Sequence, residues 1–219
     1  MIRMNHDLAF AEAHQAFVYA NETDGVLTRY SEPWRHYHDE THISEMGIHL
    51  HDAEKAGLKI HDGAAACAFV LWHDAIYDPQ APHGRNETLS AELCRAEFAA
   101  IAEPVSVERA CTAILATIGH APPEDISACP DIAILLDVDL AILGSSPERF
   151  REYDTAIRKE YAHVPDEVYG PKRRKVLGRF LERERLYLTD WAHERWNARA
   201  RENLIRLVGK RASHDESNV

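Results

Sequence analysis

The stretch from Asp62 to Ile76, DGAAACAFVLWHDAI, decides the fold class, because its apolar residues leave no polar helix face. A helix that is apolar all round is typical of the centre of a helical domain. Asp62 stands where an N-cap is expected, and the apolar run from Gly63 to Trp72 is too short to span a bilayer. The stretch therefore predicts a buried helix that ends in the dipeptide His73-Asp74.

Helical patterns continue on both sides of this stretch, and no convincing strand or hairpin turn interrupts them. Ser31-Glu32-Pro33 predicts the start of a helix that passes through His38 and His42 and ends near Gly57. The other helices are expected over about 6–19, 87–102, 106–119, 131–144, 146–161, 171–185 and 190–209. Residues expected to cap them are Asn86, Ser106, Ser146 and Thr189. The fold class predicted is all-α.

Length and composition narrow the class of protein further. The 219 residues predict a single-domain helical bundle over 1–219, with a core over about 30–205 and a disordered tail over about 211–219. The 25 basic and 36 acidic residues give a net charge of −11, which argues against nucleic-acid binding. Four cysteines without a C-x-x-C pair, no secretory signal and no long apolar segment predict a cytoplasmic protein with reduced thiols and no membrane contact.

Four ionisable residues interrupt the two most apolar segments. His73 and Asp74 end the first, and Asp137 and Asp139 interrupt AILLDVDLAIL, residues 133–143. A lone buried carboxylate is costly unless it is paired or bound to a cation, and a shared divalent ion would also accept an imidazole. The alternative is that these are helix-end residues. In that case Asp74 lies outside the core and Asp137 pairs with an arginine such as Arg158.

Residues 37–42, YHDETH, carry two histidines at positions i and i+4 of the expected helix, which places both imidazoles on one face. His38 and His42 can bind one ion together, or one can bind it while the other acts as an acid. The spacing is similar to the zincin motif H-E-x-x-H, but Glu40 is one position late and would point about 100° away. The zincin interpretation is therefore disfavoured.

The order His42, His73-Asp74, Asp139 resembles the H…HD…D pattern of the His-Asp (HD) superfamily of metal-dependent phosphohydrolases. YHDETHISEM is similar to the signature helix of the cyclic-nucleotide phosphodiesterases, and VDLAIL is similar to the last ligand segment of the superfamily. Further similar blocks are YSEPWRHYHDETHI, WHDAIYDP, NETLSA, DVDLAILG, IRKEYAHV and KVLGRFLERERLY. Over about 30–205 the chain therefore resembles the small uncharacterised bacterial HD phosphohydrolases.

The resemblance implies a helical bundle of the HD-domain or phosphodiesterase-like type and a bound divalent ion. The implied ligands are His42, His73, Asp74 and Asp139. It favours Asp139 over Asp137 as the last ligand, and it makes His38 the general acid. Asp74 is also a catalytic candidate, because its carboxylate could accept a hydrogen bond from the attacking water.

The number and identity of the ions are less constrained. Members of the superfamily that hold two metals insert two further histidines before the last aspartate, and here that interval contains His83 and His120. His83 stands in a Pro/Gly loop and is expected to be solvated, so one ion is expected rather than two. Mixed nitrogen and oxygen ligands suit Mn, Mg, Fe, Co, Ni or Zn.

Five more residues are candidates for contacts to a substrate or to the ligands: Arg35, Asp78, Glu87, His120 and Arg158. The two arginines suit phosphate oxygens. Asp78 and Glu87 could orient a ligand or a water, although Glu87 is equally suited to a first helical turn. His120 could be a second metal ligand, a phosphate donor, or a charge at a helix C-terminus.

The sequence thus predicts a metal-dependent phosphohydrolase acting on a small phosphomonoester or phosphodiester such as a nucleotide. Two alternatives stay open. A di-iron oxygenase on the same scaffold would need the extra histidines as ligands, and a non-catalytic nucleotide-binding module would bind without turnover. Acidic helical bundles of this size often dimerise, so a homodimer is one expected partner arrangement.

Overall fold

The computed structural model describes Phe10, Glu12, His14 and residues 24–209, and within these residues the regular structure is helical, with no strand. The all-α prediction is confirmed. The chain divides into two compact units, Met1–Asp139 and Leu140–Val219. In the described part of the chain, no helix is both long and apolar enough to cross a membrane. The helix expected over 6–19 and the tail over 211–219 fall largely or wholly outside the described residues.

The first unit contains six α-helices among its described residues. They are α1 Asp24–Leu27, α2 Glu40–Lys55, α3 Gly63–Trp72, α4 Arg85–Phe98, α5 Pro104–Ala116 and α6 Ile132–Asp139. Short 3₁₀ turns cover Thr28–Ser31 and Ile126–Ala128. α3 packs against α1, α2, α4 and α5, and α6 packs against α2 and α5. α3 is therefore the central helix of this unit, as its uniformly apolar sequence predicts.

The start of α3 is fixed by a buried carboxylate. Asp62 is fully buried and accepts a hydrogen bond from the amide of Ala65 at 2.9 Å, so the predicted N-cap is confirmed. The Ser106 hydroxyl and the Arg109 guanidinium also donate to this carboxylate, at 3.0 Å and 2.9 Å. Ser106 therefore serves α3 rather than capping its own helix, because α5 already begins at Pro104.

α2 begins later than the sequence pattern predicts. Residues 32–39 are irregular, and the helix starts at Glu40, where the Asp39 carboxylate accepts hydrogen bonds from the amides of Thr41 and His42. The prediction of a start at Ser31-Glu32-Pro33 is therefore wrong, because Asp39 is the N-cap in use. Gly57, with φ of 92°, ends the helix as expected.

The start of α4 and the end of α6 also differ from the prediction. α4 begins at Arg85 after Gly84, whose φ is 78°, and Asn86 bonds the backbone of Asp78 instead of capping the helix. The helix expected over 131–144 is α-helical only to Asp139 and continues as a 3₁₀ helix over Leu140–Gly144. Tightening of the last turn is common at helix ends.

The second unit starts with that 3₁₀ helix and continues with three α-helices: α7 Pro147–Glu160, α8 Asp166–Leu181 and α9 Asp190–Val208. Ser146 and Thr189 cap α7 and α9, as predicted. α9 packs against the 3₁₀ helix and against α8. The approach at Gly144 is close, because a Cβ there would lie 2.5 Å from Cβ of Trp196.

Candidate metal centre

Three side chains from three helices of the first unit meet at one point. His42 lies in the first turn of α2, His73 follows the last residue of α3, and Asp139 is the last residue of α6. The two Nε2 atoms are 3.2 Å apart, and Asp139 Oδ1 lies 3.2 Å from His42 Nε2 and 3.7 Å from His73 Nε2. Metal–ligand bonds of about 2.0–2.2 Å hold donor atoms about 3–3.5 Å apart. The three residues form a group that could hold a metal ion.

Asp74 contributes a carboxylate beside this group. Its Oδ2 atom lies 3.0 Å from His73 Nε2 and 3.9 Å from His42 Nε2. Its side chain is 17% exposed and that of Asp139 is 11% exposed, whereas His42 and His73 are buried. Asp74 is not one of the three residues whose donor atoms are all mutually close, so its part as a ligand stays a prediction.

The surroundings of the two imidazoles fix how they face the site. His73 Nδ1 lies 3.2 Å from the Val70 carbonyl, which can only accept a hydrogen bond, so Nδ1 carries the proton. In the neutral ring Nε2 then has its lone pair free for a metal, the arrangement typical of histidine ligands. The rings of Phe69 and Tyr37 pack against His73 and His42, with centroids 5.3 Å and 4.8 Å apart.

The electrostatics of the group favour a cation. Burial lowers the pKa of His73, but the Asp74 carboxylate, helped by Asp139, outweighs burial and raises it to about 9. Burial raises the pKa of Asp74, but His73 and His38 hold it well below the usual range. Burial also raises the pKa of Asp139, and hydrogen bonds from His120 and His42 hold it low. Two ionised carboxylates therefore face imidazoles at neutral pH, a donor set that fits a divalent ion.

His38 lies at the edge of this group. Because it precedes α2, His38 and His42 are not an i, i+4 pair on one helix face, and that prediction is wrong. The rings are nevertheless close, with centroids 6.1 Å apart. His38 Nε2 is 4.0 Å from Asp74 Oδ2, and its side chain is 20% exposed. Tyr77 packs on the His38 ring at a centroid distance of 4.2 Å. The general-acid role of His38 stays a prediction.

Arg35, a candidate for contacts to a substrate or to the ligands, lies inside the protein. Its side chain is fully buried, and four of its five N–H groups are used inside the protein. Nε donates to Glu32 at 2.9 Å, and the terminal nitrogens donate to the backbone carbonyls of His38, Asp74 and Ala75 at 2.8–3.0 Å. Arg35 therefore ties the segment before α2 to the segment after α3, and its role in substrate binding stays a prediction.

His120 lies against Asp139. Its Nε2 atom is 2.9 Å from Asp139 Oδ2, whereas His42 and His73 lie next to Oδ1 of the same carboxylate. The side chain of His120 is 23% exposed. Asp137 is buried but is not part of the three-residue group, which agrees with the choice of Asp139 as the last ligand.

Three other candidates have local partners. The exposed Asp78 carboxylate accepts a hydrogen bond from the Gln80 amide at 2.8 Å and so shapes its own loop. Glu87 lies in the first turn of α4, where an acid is favoured by the helix dipole. In the second unit Arg158 donates to Asp166 at 2.9 Å and to two backbone carbonyls. The substrate or ligand roles of these three residues stay predictions. His83 is exposed, as expected.

Two residues near the centre were not assigned to it from the sequence. Asp39 sets the register of α2, and the signal was readable, since an aspartate followed by Glu-Thr is a good helix start. Tyr77 packs on His38 and has no signal in the sequence, because the two residues lie 39 positions apart and meet only in the folded chain.

Comparisons of the chain with models of protein families, with curated proteins and with solved structures find no match. The inferences below therefore rest on the geometry of the described residues and on the motifs of the sequence.

Proposed function

We propose that the protein is a metal-dependent phosphohydrolase that acts on a small phosphomonoester or phosphodiester, such as a nucleotide. The observation that carries the proposal is the meeting of His42 Nε2, His73 Nε2 and Asp139 Oδ1, with Asp74 beside them. These residues stand in the H…HD…D order that resembles the HD phosphohydrolases. Their donor chemistry, two imidazoles with carboxylates, is the kind that holds divalent ions in hydrolytic sites.

A divalent ion held by His42, His73 and Asp139, with Asp74 as a further oxygen ligand, would polarise a phosphoryl oxygen and lower the pKa of a water. The protein's own residues would divide the remaining work. The Asp74 carboxylate is able to accept a hydrogen bond from the attacking water, because its side chain is partly exposed. One guanidinium nitrogen of Arg35 donates to the backbone carbonyls of both His38 and Asp74. It therefore fixes the position of the segment that carries His38 relative to the segment that carries Asp74.

His38 is the group best suited to protonate the leaving oxygen. It is more exposed than the two candidate metal ligands His42 and His73, so it can reach a substrate. Its Nε2 atom lies 4.0 Å from the Asp74 carboxylate, at the edge of the proposed metal centre. An imidazole is also the side chain whose ordinary pKa is closest to neutrality, as a proton donor at physiological pH requires.

The test combines metal analysis with an activity panel. Purified protein should bind a divalent ion and hydrolyse at least one phosphoester from a panel that includes nucleoside monophosphates, cyclic nucleotides and sugar phosphates. His73→Ala should lose metal and at least about a hundredfold in kcat/KM, in line with the loss of a metal-bound water. His83→Ala is the matched control, because this exposed histidine lies outside the group. Oxygen consumption by an iron-loaded sample would instead favour the oxygenase.

A wild-type protein that binds none of Mn, Mg, Fe, Co, Ni and Zn would contradict the proposal. Activity that survives His73→Ala unchanged in a folded protein would contradict it as well. Binding of nucleotides without turnover under any metal would leave the non-catalytic module as the better description.

A further inference from the structure

The chain that follows α5 has a histidine, His120, at a position where helices usually have glycine. The amide of His120 donates to the Thr117 carbonyl and the amide of Ala121 donates to the Ala116 carbonyl, both at 3.3 Å. This pair of hydrogen bonds is the Schellman closure of a helix, whose penultimate residue adopts the left-handed conformation. His120 has a φ of 45° and is the one non-glycine residue with positive φ in the described part of the chain. A side chain at such a position strains the backbone.

The same closure occurs at the end of α2 with the usual residue. There the amide of Gly57 donates to the Glu54 carbonyl at 2.9 Å, and the amide of Leu58 donates to the Ala53 carbonyl at 3.0 Å. Gly57 takes the left-handed conformation, with φ of 92°, and glycine does so without steric cost. The chain thus closes two helices in the same way but places histidine at the strained position of α5.

A contact in the candidate metal centre accounts for the histidine. His120 Nε2 lies 2.9 Å from Asp139 Oδ2, while Asp139 Oδ1 lies 3.2 Å from His42 Nε2. One oxygen of Asp139 is therefore held by His120 and the other faces the imidazoles of the group. A partner that holds one carboxylate oxygen limits rotation of the carboxylate and directs the other oxygen to the ion.

We propose that His120 is a positioning residue, held in a left-handed backbone conformation so that its imidazole orients the Asp139 carboxylate toward the metal. The proposal rests on the proposed metal centre and refines it, because it makes His120 a partner of a ligand rather than a ligand of a second ion. In physical terms, the strained backbone at His120 costs stability, and the contact with Asp139 is what this cost provides.

The first readout is metal affinity, measured by calorimetric titration of metal-free protein with Mn²⁺ and with Zn²⁺. His120→Gly should lower the affinity about 10–100-fold without changing the number of ions bound, as expected on loss of a hydrogen bond to a ligand. His120→Gln, whose amide N–H reaches a similar distance, should restore most of the affinity. Gly57→His is the matched control, since it adds a left-handed histidine beyond the C-terminal end of α2, whereas His42 lies in the first turn of that helix, and it should leave metal affinity unchanged.

The second readout is the urea midpoint of the metal-free protein in two backgrounds. With Asp139→Ala the contact is gone, so His120→Gly should raise the midpoint by relieving strain, as Gly57→His should lower it by adding strain. With Asp139 present the gain should be smaller or reversed, because the contact is lost as well.

An unchanged metal affinity in His120→Gly, or an equal gain in midpoint in both backgrounds, overturns the positioning role while leaving the proposed function intact. Loss of one of two bound ions overturns it in favour of a second metal site. A wild-type protein that binds no divalent ion overturns the proposed function and the positioning role together.

Discussion

His42 Nε2 and His73 Nε2 face each other at 3.2 Å, although the two residues lie 31 positions apart on different helices. Two neutral imidazole nitrogens with facing lone pairs repel, so either a proton or a metal ion must lie between them. The Nδ1–H of His73 already donates to Val70, so a proton on Nε2 makes that ring an imidazolium. The carboxylates of Asp74 and Asp139 stabilise the positive charge of His73 in the metal-free protein. A divalent ion would take the place of the Nε2 proton.

The first prediction concerns the stability of the metal-free protein against pH. The pKa of His73 rises from its usual 6.5 to about 9 in the folded chain, mainly through Asp74 once burial is overcome. A pKa raised on folding stabilises the protein below pH 6.5, and this contribution is lost as pH rises to 9. We expect urea unfolding to show a loss of about 3 kcal/mol over this range. His73→Gln should flatten the curve, and an equal slope in that variant would contradict the assignment.

Metal binding should release a proton, because His73 must lose its Nε2 proton to act as a ligand. Calorimetry at pH 7 in buffers of different ionisation enthalpy should find about one proton released per ion, falling toward zero above pH 9. The apparent affinity should rise about tenfold per pH unit between pH 6.5 and 9. Binding that proceeds at pH 7 without proton release would show that His73 is not a ligand.

A paired substitution tests which aspartate of α6 is the ligand. Asp139 reaches the two imidazoles, whereas Asp137 is buried outside the three-residue group. Asp139→Asn should lower the affinity for Zn²⁺ or Mn²⁺ at least about a hundredfold, because an anionic ligand becomes neutral. Asp137→Asn should change it only a few-fold. The fold of each variant is checked by far-UV circular dichroism, and the reverse order of effects would move the site to Asp137.

The all-α class and the central helix were readable from the sequence, because a run without a polar face has one stable place in a helical protein. The sequence also indicated His42, His73 and Asp139, which form the three-residue group in the folded chain. The start of α2 could not be predicted, because Ser31 and Asp39 are both suitable N-caps and the local sequence pattern does not decide between them. The sequence gives no signal for the left-handed backbone of His120. Glycine is the residue expected in that conformation, and the glycine in this segment is the preceding residue, Gly119.

The role of Arg35 could not be chosen from the sequence, because a buried arginine and a phosphate-binding arginine look the same there. Its carbonyl acceptors at Asp74 and Ala75 lie 39 and 40 positions away and become visible only in the fold. Long-range contacts of this kind decide between a structural and a binding role, and no local pattern contains them.

Arg35→Met should therefore destabilise the protein rather than raise KM alone. Removing the guanidinium leaves the backbone carbonyls of His38, Asp74 and Ala75 without their donor, and each buried acceptor left without a partner costs about 1–3 kcal/mol. Arg151→Met is the matched control, because the Arg151–Glu148 pair is mostly exposed. Its loss should cost at most about 1 kcal/mol in urea unfolding. A stable Arg35→Met protein with a raised KM would instead support the substrate-binding role.

The last prediction separates proton donation by His38 from metal binding. His38→Gln should leave metal affinity within a few-fold, because His38 is not in the three-residue group. It should lower kcat about 10²–10⁴-fold on esters with alkoxide leaving groups, which need a proton as they depart. On a p-nitrophenyl ester the loss should be small, since that leaving group is stable as an anion. A uniform loss on both esters would assign His38 to binding or to structure instead, and a loss of metal would make it a ligand.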